Sequence, residues 1–356
     1  MKKTIKQKFI KLNNKEIIDW LKKKDIYFTE NFELSQRSWI KSGGIVKVYI
    51  QPENLNQLSN VIKFLNANKF DYLAIGNLSN SLFRDGLINT PFINLRRIKE
   101  DIEILSKDNS EIKIRVSAGI SIFKYVNFIQ NKFLISGQEG LIGIPGTVGA
   151  GIITNASSYD CGISDFLTKV EYINNEGKFI EEHKEELSLG WRKSKFLGNN
   201  NFIITNLYFC FNQNQKSNKE SINEKALKIK KDREKFQENV LPNLGSLYAT
   251  KNIYKDLSKA STVLSLLYFF NLFITKLIYQ FFDENYLLRF RKFLVKIYLF
   301  YFGIDGKKFS LSYKTVNCLV NKGSKSSNSA FELIKKLEKK SNGIIKLENI
   351  LYDRIK

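Results

Sequence analysis

Residues 136–165, SGQEGLIGIPGTVGAGIITNASSYDCGISD, constrain this chain more than any other stretch of it. They are dense in Gly, Ser, Thr and Asn and hold one of only four prolines in the protein. A long, polar, glycine-rich run inside a packed domain cannot hide its backbone without partners, so it reads as a functional loop. Within it, IPGTVGAG offers glycines whose missing Cβ lets backbone amides come close to a ligand. Consecutive amides of that kind form concave anion sites suited to a diphosphate. The run is not a P-loop, since no G-K-[ST] follows, nor is it G-x-G-x-x-G opening a helix after a strand. Taken alone it would read as a tight turn at a sheet edge.

The segments around it supply the scaffold. Apolar positions at helical spacing near residues 15 to 27 predict a short leading helix. From residue 43 to about 95 the pattern alternates: a strand (IVKVYI), a helix (NLNQLSNVIKFLNANK), a strand (YLAI), the polar turn GNLSNS and a strand (PFINL). From about 111 to 211, strand-like IKIRVSAG and helical ISIFKYVNFIQNK precede the glycine-rich run, and strand-like TKVEYINN and FIITNLYFCF follow it. The polar run NQNQKSNKES marks a boundary near 215, after which a lysine-rich helix, INEKALKIKKDREKFQEN, opens a third region. The expected organisation is α+β. It has a first lobe with the leading helix (1–105), a second lobe (106–215) and a C-terminal domain (216–356).

Composition narrows the chemistry. A formal charge of +22, from 57 basic against 35 acidic side chains, could attract nucleic acid, anionic lipid or an anionic small molecule. The lysines are spread along the chain, and Asn and Ile are abundant with them, so the charge is mainly compositional, with some help for a phosphorylated substrate. No nucleic-acid motif accompanies it, and nucleic acid is not an expected partner. Cys161, Cys210 and Cys318 are far apart and odd in number, and the one histidine, His183, sits in a polar run that reads as solvated surface. Neither a disulfide framework nor a metal site is expected. The basic start, MKKTIKQKFIKLNNKE, lacks an apolar core and does not read as a signal peptide, so a cytoplasmic location is expected.

Two further loops agree with the first. GNLSNSLFRDG, at 76–86, follows an apolar strand, and KSGG, at 41–44, leads into a strand ending in QP. The order KSGG, G-x-x-S-N, IPGTVG-A-G–N-A, GWRKSKF and LGS runs over nearly the whole chain. In that order the sequence resembles the UDP-N-acetylenolpyruvoylglucosamine reductases, FAD-dependent enzymes of peptidoglycan precursor synthesis with the vanillyl-alcohol-oxidase-type flavin fold. GLIGIPGTVGAGIITNASSYDCGISD, at 140–165, is the most specific part of the match.

The resemblance implies a two-lobed FAD-binding unit followed by a substrate-binding domain. The flavin's pyrophosphate would lie on backbone amides around Gly76, Asn77, Ser79, Asn80 and Ser81. Ile144, Pro145, Gly146, Thr147 and Gly149 would flank its ring system, Lys41, Gly43 and Gly44 would join them, and Asn155 matches the loop's asparagine. NADPH would reduce the flavin and leave. Flavin N5 would then give hydride to the vinyl terminus of UDP-N-acetylglucosamine enolpyruvate. Charge would build on the carboxylate side, where Arg192 of GWRKS presents a planar, always-protonated fork. Glu348, in its protonated form, would assist, and Ser246 of LGSLY would protonate the adjacent carbon. Taken singly, Arg192 would read as a solvated turn, Ser246 as a cap and Glu348 as the outer face of a strand.

The departures from the family pattern cluster at the substrate. Its Lys-Asn-Pro run reads Ala249, Thr250 and Lys251 here, its tyrosine before the arginine is Trp191, and its histidine is Thr315, while Asn317 and Asn321 remain. Trp191, Lys251 and Asn317 are therefore the expected substrate contacts. A related oxidoreductase with another substrate, or an impaired flavin-binding paralogue, are the alternatives. An apparent insertion, about 255–303, carries an apolar stretch and then a basic amphipathic one. It is expected to form a helical hairpin, and three readings stay open: docking on the anionic inner membrane surface, contact with another subunit, or a cap on the third region. A lone membrane span would leave the C-terminal residues across the membrane from the rest.

Overall fold

A computed structural model describes residues 14–99 and 101–353. Most of the basic N-terminal stretch, with the signal-peptide question attached to it, lies outside the described residues. The leading helix is Asn14–Lys23, shorter than its apolar spacing suggested because Asp25 turns into the left-handed region (φ 52). The strand Ile45–Ile50 buries Val46, Val48, Tyr49 and Ile50, so both of its faces are covered. Its sheet runs in the order Phe28–Glu33, Ile45–Ile50, Phe92–Asn94, Leu73–Ile75, with Leu87–Ile88 also pairing to Ile45–Ile50. The first pair is antiparallel and the other pairings are parallel. The helix Leu55–Ala67 starts where the Asn54 side chain accepts from the Gln57 amide, and it packs Leu58, Val61, Ile62 and Leu65 into this core.

A second, wholly antiparallel sheet runs in the order Phe179–His183, Leu167–Asn174, Phe202–Asn212, Glu111–Ser117, Ile102–Lys107. Alternation in Glu111–Ser117 turns Ile112, Ile114 and Val116 inward, against Tyr125, Val126, Ile129 and Phe133 of the helix Ile122–Phe133. Part of the glycine-rich run, read above as loop, is the short helix Val148–Thr154. It lies so close to the sheet that a Cβ on Gly149 would stand 2.7 Å from that of Ala118. Glycine permits the approach, and its poor helix propensity hides the helix from pattern reading.

The third region pairs Asn243–Ser246, Cys318–Asn321 and Phe309–Leu311 in an antiparallel sheet beside the helix Asn328–Lys340. Its core takes in Ile40 and Leu82 from the first region. The chain's end crosses back: Ile350–Tyr352 pairs in parallel with Ser81–Phe83. The insertion forms two helices, Thr262–Phe281 and Glu284–Phe302. The fold is α+β with an apolar helical insertion, as expected.

Candidate functional site

The two glycine loops meet. Ser79 Oγ donates to the Pro145 carbonyl, joining the loop at 76–81 to the loop at 144–147. Gly76 faces the start of the helix Val148–Thr154: a Cβ there would stand 3.2 Å from Thr147 Oγ1 and 3.3 Å from Ala150 Cβ. Leu78 takes a left-handed conformation (φ 55), which bends successive amides to one side of the loop. Among the described residues, the amides of Asn77, Leu78 and Ser79 meet no acceptor.

These loops form one wall of a cavity of about 1560 Å³, larger than the ~300–1,000 Å³ of an ordinary ligand pocket. A volume of that order has room for two sizeable ligands side by side. Arg37, Lys41, Arg96, Arg192 and Arg233 line it, against Glu33, Glu238 and Glu348, so its walls favour anions.

The residues expected to carry catalysis come together here. Arg192, at φ 52, sits in a tight turn closed by reciprocal hydrogen bonds between Gly190 and Lys193. Its Nε lies 2.6 Å from Glu348 Oε1, while Nη1 and Nη2 donate to the side chain and carbonyl of Ser157. By direction, the Nε–H has no aligned acceptor among the described residues, so the contact with Glu348 is an ion pair by distance. Ser246 follows Gly245, whose positive φ of 68 favours glycine, and it too lines the cavity. Asn349 holds the junction. Its Nδ2 donates to Asn80 Oδ1 (2.5 Å), the Leu244 carbonyl (3.1 Å) and the Ser246 carbonyl (3.2 Å), tying both strand ends to the first loop.

The remaining expected residues divide. Lys41, Gly76, Asn77, Ser79, Asn80, Ser81, Ile144, Pro145, Gly146 and Asn317 line the cavity. Asn317 spends its amide on the backbone of Tyr248, which holds the strand behind Ser246. Gly43, Gly44, Thr147, Gly149 and Asn155 stand behind the wall. The Gly43 amide donates to the Lys325 carbonyl, and a Cβ on Gly44 would strike the Gly86 carbonyl at 2.3 Å. Thr147 caps the helix Val148–Thr154. Asn155 donates to the Gly190 carbonyl and accepts from Ser164, which braces the Arg192 turn.

Trp191 and Lys251 do not reach the cavity. Neighbours on a tight turn point apart, so with Arg192 inward Trp191 is 60% exposed. Lys251 is exposed just ahead of the helix Ile253–Leu257, and Thr250 before it bonds Asp256. Thr315, at the position of the family's histidine, does line the cavity. Sequence reasoning missed Arg233 and Asn349. Arg233 looks like one more cation on a lysine-rich helix, yet its Nη2 donates to the Gly140 carbonyl and to Ser158, and burial pushes its pKa below the usual arginine value. Among the described residues no group of His, Cys, Asp and Glu could hold a metal ion.

Comparison with known proteins bears on the same residues. A family profile described as an FAD binding domain matches residues 46–182. The UDP-N-acetylenolpyruvoylglucosamine reductase of Orientia tsutsugamushi is 33% identical over 229 residues, covering 64% of this chain and 73% of that protein. That of Clostridium botulinum is 30% identical over 225 residues, covering 63% and 70%. The solved structure of the Thermus caldophilus enzyme of that name, 19% identical, superposes over 92% of this chain and 98% of its own with a TM-score of 0.63, which shows a shared fold. The wall at 76–81 and 144–146 fits FAD. Amides without acceptors and a glycine facing a neighbouring helix start are what a pyrophosphate needs to approach backbone.

Proposed function

The chain belongs to the family of UDP-N-acetylenolpyruvoylglucosamine reductases and is an FAD-dependent oxidoreductase. On that premise we propose that it reduces UDP-N-acetylglucosamine enolpyruvate to UDP-N-acetylmuramate with NADPH, in peptidoglycan precursor synthesis. The carrying observation is the meeting of Arg192, Ser246 and Glu348 on one cavity beside the two glycine loops.

In this reading Asn77, Leu78 and Ser79 hold the cofactor's pyrophosphate through their amides, with Ile144, Pro145 and Gly146 alongside. When bound, FAD supplies two-electron chemistry, accepting reducing equivalents from NADPH and delivering hydride to the vinyl carbon of the substrate. Arg192 orients the substrate's carboxylate and stabilises the negative charge that grows there as the double bond is reduced. The incoming carboxylate competes with Glu348 for the guanidinium, which frees Glu348 to take up and pass a proton at the same centre. Ser246 Oγ protonates the carbon next to the carboxylate, completing addition of one hydride and one proton across the double bond. Arg233 and Lys41, on the same walls, face the diphosphate in place of the displaced Lys251. The location proposed for this reaction is the cytoplasm, where a nucleotide sugar and NADPH are both present.

The position of Lys251 outside the cavity favours one second reading, a related FAD oxidoreductase acting on another anionic substrate. NADPH consumption by the purified yellow protein, with and without UDP-N-acetylglucosamine enolpyruvate, separates the two. The expected result is substrate-dependent turnover that falls about 10²–10³-fold in Arg192→Ala, as for loss of one preorganised charge stabiliser, with flavin retained. Retained flavin without response to this substrate would select the second reading.

A further inference from the structure

The insertion inverts the usual relation between hydrophobicity and burial. Thr262–Phe281 is the one helix among the described residues long and apolar enough to cross a membrane, yet only Leu264 and Ile278 on it are buried. Its partner Glu284–Phe302, more polar and carrying four cations, is the one that packs inward, through Leu294, Val295, Tyr298 and Phe302. Twelve of the 27 exposed large apolar side chains of the described residues lie between 263 and 300. So large an apolar concentration marks an interaction surface.

Its chemistry says what covers it. On the first helix Leu266, Phe269 and Phe273 recur at helical spacing and are each more than 60% exposed. On the second, Tyr286, Arg289, Phe293, Lys296 and Phe300 follow one another at three- and four-residue steps, all exposed, with Lys292 beside them. Aromatic rings interleaved with long cationic side chains on one face can sink the rings into an acyl boundary while the charges reach anionic headgroups. We propose that this hairpin lies flat on an anionic lipid bilayer and holds the enzyme there as a peripheral protein.

The other occupants fit less well. A second copy meeting the same face about a two-fold axis would set Arg289, Lys292 and Lys296 against their own counterparts, and the hairpin's acidic residues, Asp283 and Glu284, are confined to its tip. A crossing hairpin would bury five cations, Lys276 and the four of the second helix, and a single crossing would separate Ser246 from Glu348, which line one cavity. The surface also adjoins the site: the Arg291 guanidinium lies 4.4 Å over the ring of Phe236, and Phe236 lines the cavity. Docking would therefore hold the cavity's rim near the headgroups.

The test is co-sedimentation of the flavin-loaded full chain with phosphatidylcholine vesicles, with and without phosphatidylglycerol. Binding is expected only with phosphatidylglycerol, and it weakens as salt shortens the screening length from about 10 Å to about 3 Å. The triple variant Arg289→Gln, Lys292→Gln, Lys296→Gln should lose about a hundredfold in partitioning, at roughly fivefold per cation. The double variant Phe269→Ser, Phe273→Ser should also bind less, both variants keeping wild-type flavin absorbance and melting temperature. No sedimentation with anionic vesicles, or a salt-insensitive dimer in analytical ultracentrifugation that the Phe269→Ser, Phe273→Ser variant dissolves, would overturn the proposal.

Discussion

Asn349→Ala removes an amide that ties three segments together at the heart of the site. Asn349 is 3% exposed, and its Nδ2 reaches Asn80, Leu244 and Ser246. The Leu244 carbonyl belongs to a residue also 3% exposed, so the loss of this donor there costs about 1–3 kcal/mol. Asn80 and Ser246 border the cavity and can turn to water, at about 0.5–1.5 kcal/mol each. The expected loss of stability is therefore roughly 2–6 kcal/mol, read from urea denaturation of the purified flavoprotein. Because the Ser246 carbonyl is one anchor of that strand end, kcat should fall with it while FAD stays bound. Asn349→Asp keeps the shape and replaces the donor by a carboxylate facing three acceptors, so it should be no better than alanine. A loss below about 0.5 kcal/mol in the alanine variant, or wild-type stability in Asn349→Asp, would refute the donor role.

Gly149→Ala should lower stability by about 1–3 kcal/mol, because its Cβ would stand 2.7 Å from that of Ala118. Gly146→Ala meets nothing closer than 3.6 Å, so it should leave thermal melting of the apoprotein unchanged while weakening FAD retention. Burial raises the Asp85 carboxyl pKa, but hydrogen bonds from Ser326 and Ser327 outweigh it and hold the value below the usual range. That contribution to stability is present above the unfolded carboxylate value and disappears as pH falls through the folded one. The stability gap between wild type and Asp85→Asn should accordingly close on acidification below about pH 4, and a pH-independent gap in denaturation curves would contradict it. Burial raises the thiol pKa of Cys161, Cys210 and Cys318, the last to about 12. Native protein should therefore react slowly with a thiol reagent at pH 8, and unfolded protein should expose all three cysteines.

The glycine loops were legible because their composition is the signal: a backbone that must approach a ligand needs residues without a Cβ, and such residues are visible in any order of reading. Strand alternation and the helical spacing of the insertion were legible for the same local reason. The strand Phe28–Glu33 was not, since its burial follows no alternation. Nor was the helix Val148–Thr154, whose glycines serve contact with Ala118 and mask its period.

The sequence by itself determined the α+β class, the glycine loops and the family they resemble, and it singled out the residues proposed to stabilise charge and move a proton. Tertiary structure alone decided which of those residues meet. Trp191 and Arg192 are neighbours, and the turn sends one outward and the other to Glu348. Asn349 meets Asn80 across 269 residues, through a parallel pairing of the chain's end with Ser81–Phe83 that no local pattern encodes. Local chemistry sets a residue's backbone preference and its period, whereas its facing and its distant partners come from how covered elements pack, a property of the whole chain at once.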